Sequence, residues 1–146
     1  MSLARSDAGP RTAVQDFIQR RSRRPVVLVV DDEAGFARRL GMAFEECGFE
    51  PETAFDGEQA LNAAAKRCPD LIVMDVKMPR MDGIECLAAL RASDPNALPP
   101  VILVSGDPSP CVDLAGSVYA GTYVIRKPCT YDEIVAFGHQ ILARAG

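Results

Sequence analysis

LIVMDVKMPRMDG, residues 71–83, combines an apolar strand, an acidic strand end and the start of a helix. The four apolar residues 71–74 predict a strand covered on both faces, as in a parallel sheet. Asp75 ends this strand. Asp82 and Glu85 have the spacing of a helix capping box, which predicts a helix that begins near Gly83. The segment is therefore a strand–loop–helix unit with a carboxylate at the carboxyl end of its strand.

The same unit recurs along the chain from Pro25 onward. Gly48 is placed to end the first helix, and Asp56 with Gln59, and Thr130 with Glu133, have capping-box spacing in later ones. Predicted strands cover residues 26–30, 50–54, 71–74, 101–104 and 122–126, and a helix follows each, the fourth over residues 111–120. The alternation predicts an α/β fold: one doubly wound, five-stranded parallel sheet flanked by five helices.

Composition and charge narrow the class of protein. The chain is 48% apolar and 25% charged with a net charge of −4, as in a globular domain. Residues 1–24 carry six arginines against two aspartates, so the acidic charge lies in residues 25–146. We expect residues 1–24 to be an extension or linker and residues 25–146 to form the domain. An acidic body and short apolar stretches predict no direct nucleic-acid binding and no membrane insertion.

The five cysteines are scattered, without a Cys-x-x-Cys pair. This pattern predicts small buried thiols and a reducing, cytoplasmic environment.

Polar residues stand just after the predicted strands, where ligands bind in doubly wound sheets. They are Asp31 and Asp32 after the first strand, Asp75 after the third, Ser105 after the fourth and Lys127 after the fifth. Converging carboxylates repel one another, and a divalent cation with a preference for oxygen ligands removes that conflict. The set predicts a magnesium site beside a phosphoryl group.

The residue types suggest a role for each member of the set. Asp75 is the candidate nucleophile, because carboxylates form aspartyl-phosphates. Lys127 is expected to pair with a phosphate oxygen and Ser105 to donate its hydroxyl to another, with Gly106 leaving room. Taken singly, Asp31 and Asp32 also fit a helix N-cap pair, and Ser105-Gly106 also fits a plain turn.

These residues resemble the receiver domains of bacterial two-component response regulators over about residues 25–145. Residues 71–83 match the phosphoacceptor strand of that family and its Met-Pro-x-Met-Asp-Gly loop. The paired acids, the serine and the Lys-Pro pair complete the pattern. The resemblance implies a flavodoxin-like sheet of strand order 2-1-3-4-5 and a phosphorylation-activated signalling switch.

Carried over residue by residue, the resemblance implies that Asp75 accepts a phosphoryl group from a sensor histidine kinase or histidine phosphotransfer protein. It implies Mg²⁺ bound by Asp31, mostly through water, by Asp32 and Asp75, and by the backbone carbonyl of Lys77. Ser105 would be the switch hydroxyl and Lys127 the lysine of the family, with a cis bond to Pro128. It also implies no enzyme activity beyond self-catalysed phosphoryl transfer and autodephosphorylation, an output domain or target protein as partner, and a homodimer as a further expectation.

The chain departs from the family in β-strand five. An aromatic residue usually stands three positions before the lysine, and Val124 stands there. Strand alternation predicts that Tyr123 points to the opposite face. Cys129 replaces a frequent phenylalanine after Lys-Pro, and His139, the one histidine, is expected to be structural. Lys77 and Asp107 carry opposite charges: one hypothesis is that they meet over the site, and the alternative is that they are two solvated charges that do not touch.

Two other functions fit parts of the pattern. A haloacid-dehalogenase-like phosphohydrolase also uses an aspartyl nucleophile and magnesium, but it needs a second aspartate where this chain has Lys77. A receiver-like interaction module that is not phosphorylated is the other alternative. Binding of acetyl phosphate or beryllofluoride would separate it from a working switch.

Overall fold

The computed structural model describes residues 12, 14, 23–93, 99–106 and 110–145. Strands and helices alternate in these ranges: β1 Val26–Val30, α1 Ala34–Glu46, β2 Glu50–Ala54, α2 Gly57–Arg67, β3 Leu71–Asp75, α3 Gly83–Ser93, β4 Val101–Ser105, α4 Pro110–Val118, β5 Thr122–Arg126 and α5 Tyr131–Ala145. All neighbouring strands are parallel, in the order β2-β1-β3-β4-β5. The predicted fold is confirmed.

The sheet is covered on both faces, which explains why β1 is apolar throughout and why β3 and β4 are apolar up to their last residue. One face packs against α2, α3 and α4, through residues such as Leu28, Met74 and Leu103. The other packs against α1 and α5, through residues such as Val29, Val73 and Ile102. Alternate residues of one strand therefore pack into two hydrophobic cores, one on each face of the sheet. This three-layer packing fixes the strand ends, which carry the polar residues.

The helix boundaries follow the predicted capping signals. Glu85 N–H donates to Asp82 Oδ1 (2.8 Å), and Asp82 N–H donates to Glu85 Oε1 (3.0 Å). Thr130 and Glu133 make the same reciprocal pair, and Asp56 accepts from Gln59 N–H at 2.7 Å. Gly48 follows α1 with φ +96°, and α4 ends two residues earlier than predicted. Within the described residues, none of the helices is both long and apolar enough to cross a membrane.

The N-terminal boundary at residue 25 stays a prediction. Arg24 Nη2 donates to the carbonyl of Glu45 at the end of α1 (2.8 Å), and Arg23 pairs with Asp70 at 3.3 Å. These two residues thus contact the domain. Of residues 1–22, the structure describes Thr12 and Val14.

The prediction of buried cysteines is wrong for three of the five. Only Cys86 is fully buried, Cys129 is partly buried, and the other three cysteines are exposed. Cys47 and Cys68 are exposed because they occupy the C-caps of α1 and α2, where the chain leaves the helix. Cys111 is exposed in the first turn of α4. Position at a helix end, rather than residue type, decides their exposure.

Gly83 brings the start of α3 against the end of β3. Its N–H donates to the Val76 carbonyl at 2.7 Å. A Cβ at this position would lie 2.5 Å from the Asp75 carbonyl oxygen and 2.9 Å from Val76 Cα. Both neighbours are backbone atoms, so they cannot rotate away. Glycine is therefore required where α3 approaches the strand end that carries Asp75.

We expect Gly83→Ala to lower the free energy of unfolding by about 1–3 kcal/mol, the usual cost of overpacking. Gly41→Ala is the matched control, because its Cβ would make ordinary contact with Pro51 Cβ at 3.5 Å. In the middle of α1 that change should instead add about 0.5–1 kcal/mol. Urea unfolding of the three proteins measures both effects. Equal stability of Gly83→Ala and the parent protein would contradict the close approach.

Candidate functional site

Three aspartates meet at the carboxyl edge of the sheet. Asp31 and Asp32 directly follow β1, and Asp75 ends β3, its neighbour in the sheet. One carboxylate oxygen from each lies within 4.8 Å of the others. Asp31 is 5% exposed and Asp75 8% exposed, whereas Asp32 lies at the surface. The parallel pairing of β1 and β3 thus brings the predicted carboxylates together.

Local hydrogen bonds hold Asp31 in this cluster. Its N–H donates to the Ala54 carbonyl at 3.1 Å, and its Oδ1 accepts from Glu33 N–H at 2.9 Å. The N-cap of α1 is Glu33, whose side chain accepts from Phe36 N–H. The interpretation of Asp31 and Asp32 as an N-cap pair is therefore wrong. Because Glu33 caps the helix, both aspartates lie ahead of α1, at the sheet edge.

Lys127 reaches the cluster from the end of β5. Its Nζ lies 3.1 Å from Asp75 Oδ1. Its backbone N–H donates to the carbonyl of Ser105, the last residue of β4 (2.8 Å). The bond from Lys127 to Pro128 is cis, as expected. The lysine is thus tied to the ends of β3 and β4.

Ser105 and Lys77 take different positions at this edge. Ser105 is 1% exposed, so its hydroxyl belongs to the buried floor at the end of β4. A Cβ on the adjacent Gly106 would lie 3.6 Å from Lys127 Cβ. Lys77 is exposed in the loop after β3, two residues past Asp75. Asp107, the expected partner of Lys77, lies outside the described residues.

Burial makes the carboxylates reluctant to ionise. It raises the pKa of Asp31 to about 6; the nearby Asp75 and Asp32 carboxylates add to this, while the Glu33 N–H and Lys127 oppose it. Burial also raises the pKa of Asp75, against the stabilising contact with the Lys127 ammonium. Desolvation and like charge both disfavour the ionised form. Binding of a further positive charge at the cluster would therefore stabilise the ionised carboxylates.

One neighbour of the site was not predicted as part of it. Phe36, Leu40 and Phe44 recur every four residues, a spacing that predicts one apolar face of α1. Phe36 is partly buried against the core, and its ring centroid also lies 5.7 Å from Lys127 Nζ and 5.3 Å from the ring centroid of Tyr131. The sequence position of Phe36, one helical turn after Asp32, could have indicated that it lies near the site. The same spacing also predicts a core residue, so helical periodicity alone does not separate the two roles.

Val124 and Tyr123 lie on opposite faces of the sheet, as predicted. Val124 packs on the α2–α4 side of the sheet, and Tyr123 on the other, where its ring meets Phe137 at 5.7 Å. Cys129 is partly buried against the α1–α5 side. His139 is exposed and stacks edge-on to Phe49 at 4.9 Å, which fits a structural role.

Known proteins with similar sequences are bacterial regulators. The probable transcriptional regulatory protein TcrX of Mycobacterium tuberculosis is 36% identical over 120 residues, covering 82% of this chain and 50% of that protein. The transcriptional regulatory protein PrrA of the same organism is 38% identical over 122 residues, covering 84% and 52%. The chain thus spans about half the length of these curated relatives.

A solved structure and a family profile give the same result. The receiver domain of the Francisella response regulator 1452 is 34% identical with a TM-score of 0.74, covering 84% of this chain and 99% of that one. The profile of the response regulator receiver domain matches residues 27–137. The fold, the aspartates at the strand ends and this match together show that the chain belongs to the response regulator receiver domain family.

Proposed function

We propose that Asp75 accepts a phosphoryl group from a phosphohistidine on a sensor kinase or histidine phosphotransfer protein, and that this magnesium-dependent step switches partner binding. The observation that carries the proposal is the placement of the Asp75 carboxylate, within 4.8 Å of two further carboxylates and 3.1 Å from the Lys127 ammonium. A nucleophilic oxygen, a cation-binding acidic set and a fixed positive charge are the parts that phosphoryl transfer needs.

In the proposed reaction an Asp75 carboxylate oxygen bonds to phosphorus as the phosphorus–nitrogen bond to histidine breaks. The electron pair of that bond and a proton remain with the imidazole. Lys127 then pairs with a phosphoryl oxygen, and the Ser105 hydroxyl donates to another. Attack of water on the phosphorus of the acyl phosphate then breaks the bond to the Asp75 oxygen, which returns Asp75 to the carboxylate and releases inorganic phosphate. Both steps change the domain itself, so the proposed chemistry is that of a switch rather than of a substrate-turnover enzyme.

The donor set fits a hard divalent cation. Three carboxylates with raised demand for positive charge suit Mg²⁺, which prefers oxygen ligands and retains waters. Asp32 and Asp75 would bind it directly, Asp31 mostly through water, and the Lys77 carbonyl would complete the protein ligands. When bound, the ion offsets charge on the phosphoryl oxygens.

The route from the site to a partner is proposed to pass through α4. Among the residues of β5, Val124 faces α4. Tyr123, the aromatic residue of β5, lies on the opposite face of the sheet. Leu114 and Val118 lie four residues apart on α4 and are 62% and 63% exposed. Exposed large apolar side chains on one helix face are typical of a contact surface. An output domain, a target protein or a second copy in a homodimer would bind there, in the cytoplasm.

The first test replaces the nucleophile. Asp75→Asn should abolish phosphorylation by acetyl phosphate and leave the fold intact, because the amide is nearly isosteric and is not a nucleophile. Asp70→Asn, at the opposite end of the same strand, is the control and should be phosphorylated at the parent rate. Mass spectrometry of the intact protein measures the added phosphoryl group. Unchanged phosphorylation of Asp75→Asn would disprove the assignment and favour another acceptor.

The second test concerns the metal. Asp32→Ala should weaken Mg²⁺ binding by roughly tenfold or more, since even residues that only support metal ligands change affinity by that much. Glu33→Gln is the control, because it removes a neighbouring charge and keeps the oxygen that caps α1. Titration calorimetry with MgCl₂ compares the three proteins. Parent-like affinity in Asp32→Ala would rule out its role as a ligand.

The third test uses the pKa of Asp31 without metal. A carboxyl group that titrates near 6 when folded and near 3.8 when unfolded is protonated in the folded state alone between these values. The metal-free domain therefore loses stability as pH rises from about 4 to 6, by up to about 3 kcal/mol from this group. Asp31→Asn keeps an oxygen for the Glu33 N–H and cannot ionise. Its stability advantage in urea unfolding should be small at pH 4 and largest at pH 7. An advantage that does not change with pH would contradict the raised pKa.

A further inference from the structure

The Lys127 side chain faces a positioning problem. It is long and flexible, and it is 40% exposed where it reaches Asp75. A flexible, partly exposed ion pair is held only weakly by its own charge attraction. A lysine that must meet a phosphoryl oxygen in one place therefore needs contacts along the rest of its side chain.

An aromatic face supplies such a contact. The Phe36 ring centroid lies 5.7 Å from Lys127 Nζ, within the distance at which a ring attracts a cation. On another side, Gly106 carries no side chain, and a Cβ there would touch Lys127 Cβ and Cδ at 3.6 and 3.8 Å. The ammonium thus has two attractive neighbours, the Asp75 carboxylate and the Phe36 ring.

The Phe36 ring is itself held in place from a second helix. Its centroid lies 5.3 Å from that of Tyr131 in α5, with the planes tilted by 56°. The Tyr131 hydroxyl accepts from Arg39 Nε at 3.1 Å, which ties that ring back to α1. Leu40 and Phe44, the next residues of the α1 stripe, are fully buried, whereas Phe36 is only partly buried. Its ring thus has a face to offer outside the core.

We infer that Phe36, braced by Tyr131, is a positioning residue that holds the Lys127 ammonium at Asp75. The inference rests on the proposed role of Lys127 in phosphoryl transfer and adds the element that fixes its reach. The aromatic ring acts only through the lysine. Removing the ring's negative face should therefore matter while Lys127 is present and should not matter once it is gone.

The test is a double-mutant cycle on the affinity for beryllofluoride, a phosphoryl mimic, measured by calorimetry with saturating Mg²⁺. Phe36→Leu keeps an apolar side chain and should weaken binding about two- to fivefold, as expected for a partly exposed cation–ring contact. Phe36→Tyr keeps the ring and should bind like the parent protein. In a Lys127→Met background, Phe36→Leu should have no further effect.

A second substitution separates ring charge from ring shape. Pentafluorophenylalanine introduced at position 36 keeps a ring of similar size and reverses the sign of its face. It should weaken binding as much as Phe36→Leu does, and it keeps the test decisive if the leucine variant unfolds. Full affinity of the pentafluoro protein would overturn the inference.

The outcomes also separate this inference from the proposed function. If Lys127→Met binds beryllofluoride as tightly as the parent, the proposed role of Lys127 fails and the positioning role fails with it. If Lys127→Met binds weakly but Phe36→Leu costs the same affinity in both backgrounds, Phe36 acts independently of the lysine. In that case the positioning role is disproved and the proposed function stands.

Discussion

The rest of the structure depends on three carboxylates that a parallel sheet brings to one edge, where burial above all, and then mutual repulsion, oppose their ionisation. Adjacent parallel strands end side by side, so Asp31 and Asp75 meet at the ends of β1 and β3, and both are almost fully buried. Their raised pKa values express the cost of this placement. Among the described residues, the cation in direct contact with the cluster is Lys127. This placement therefore lowers the stability of the metal-free domain and creates a site that attracts positive charge.

The neighbouring elements serve to maintain that costly arrangement. Glu33 caps α1, so Asp31 is left to accept the Glu33 N–H and remain at the sheet edge. Gly83 lets α3 start against the Asp75 carbonyl, which fixes the end of β3. The Lys127 N–H bonds the Ser105 carbonyl, which joins the ends of β4 and β5. Each of these three contacts holds the backbone at or beside a strand end. Small backbone shifts at these points would separate the carboxylates.

Much of this arrangement was predictable because it depends on local rules. Apolar runs predicted β1, β3 and β4, and capping boxes predicted the starts of three helices. Alternation in β5 predicted opposite faces for Tyr123 and Val124. The exposure of Cys47 and Cys68 was not predictable from residue type, because helix ends decide it. The contact of Phe36 with Lys127 joins residues 91 positions apart, and sequence spacing carries no information about such a pair.

Val124 in β5 determines which contacts link the proposed phosphorylation site to α4. Val124 packs against α4, where a Cβ on Gly116 would lie 3.4 Å from its Cγ2. A β-branched side chain is restricted at χ1 and has no ring to swing toward Ser105. Arg126 also pairs with Asp113 of α4 at 2.8 Å, so β5 and α4 are joined by both packing and charge. Under the proposed function, a change at Ser105 would reach α4 through this packing and this ion pair, because the β5 residue that faces α4 has no ring that could rotate toward Ser105.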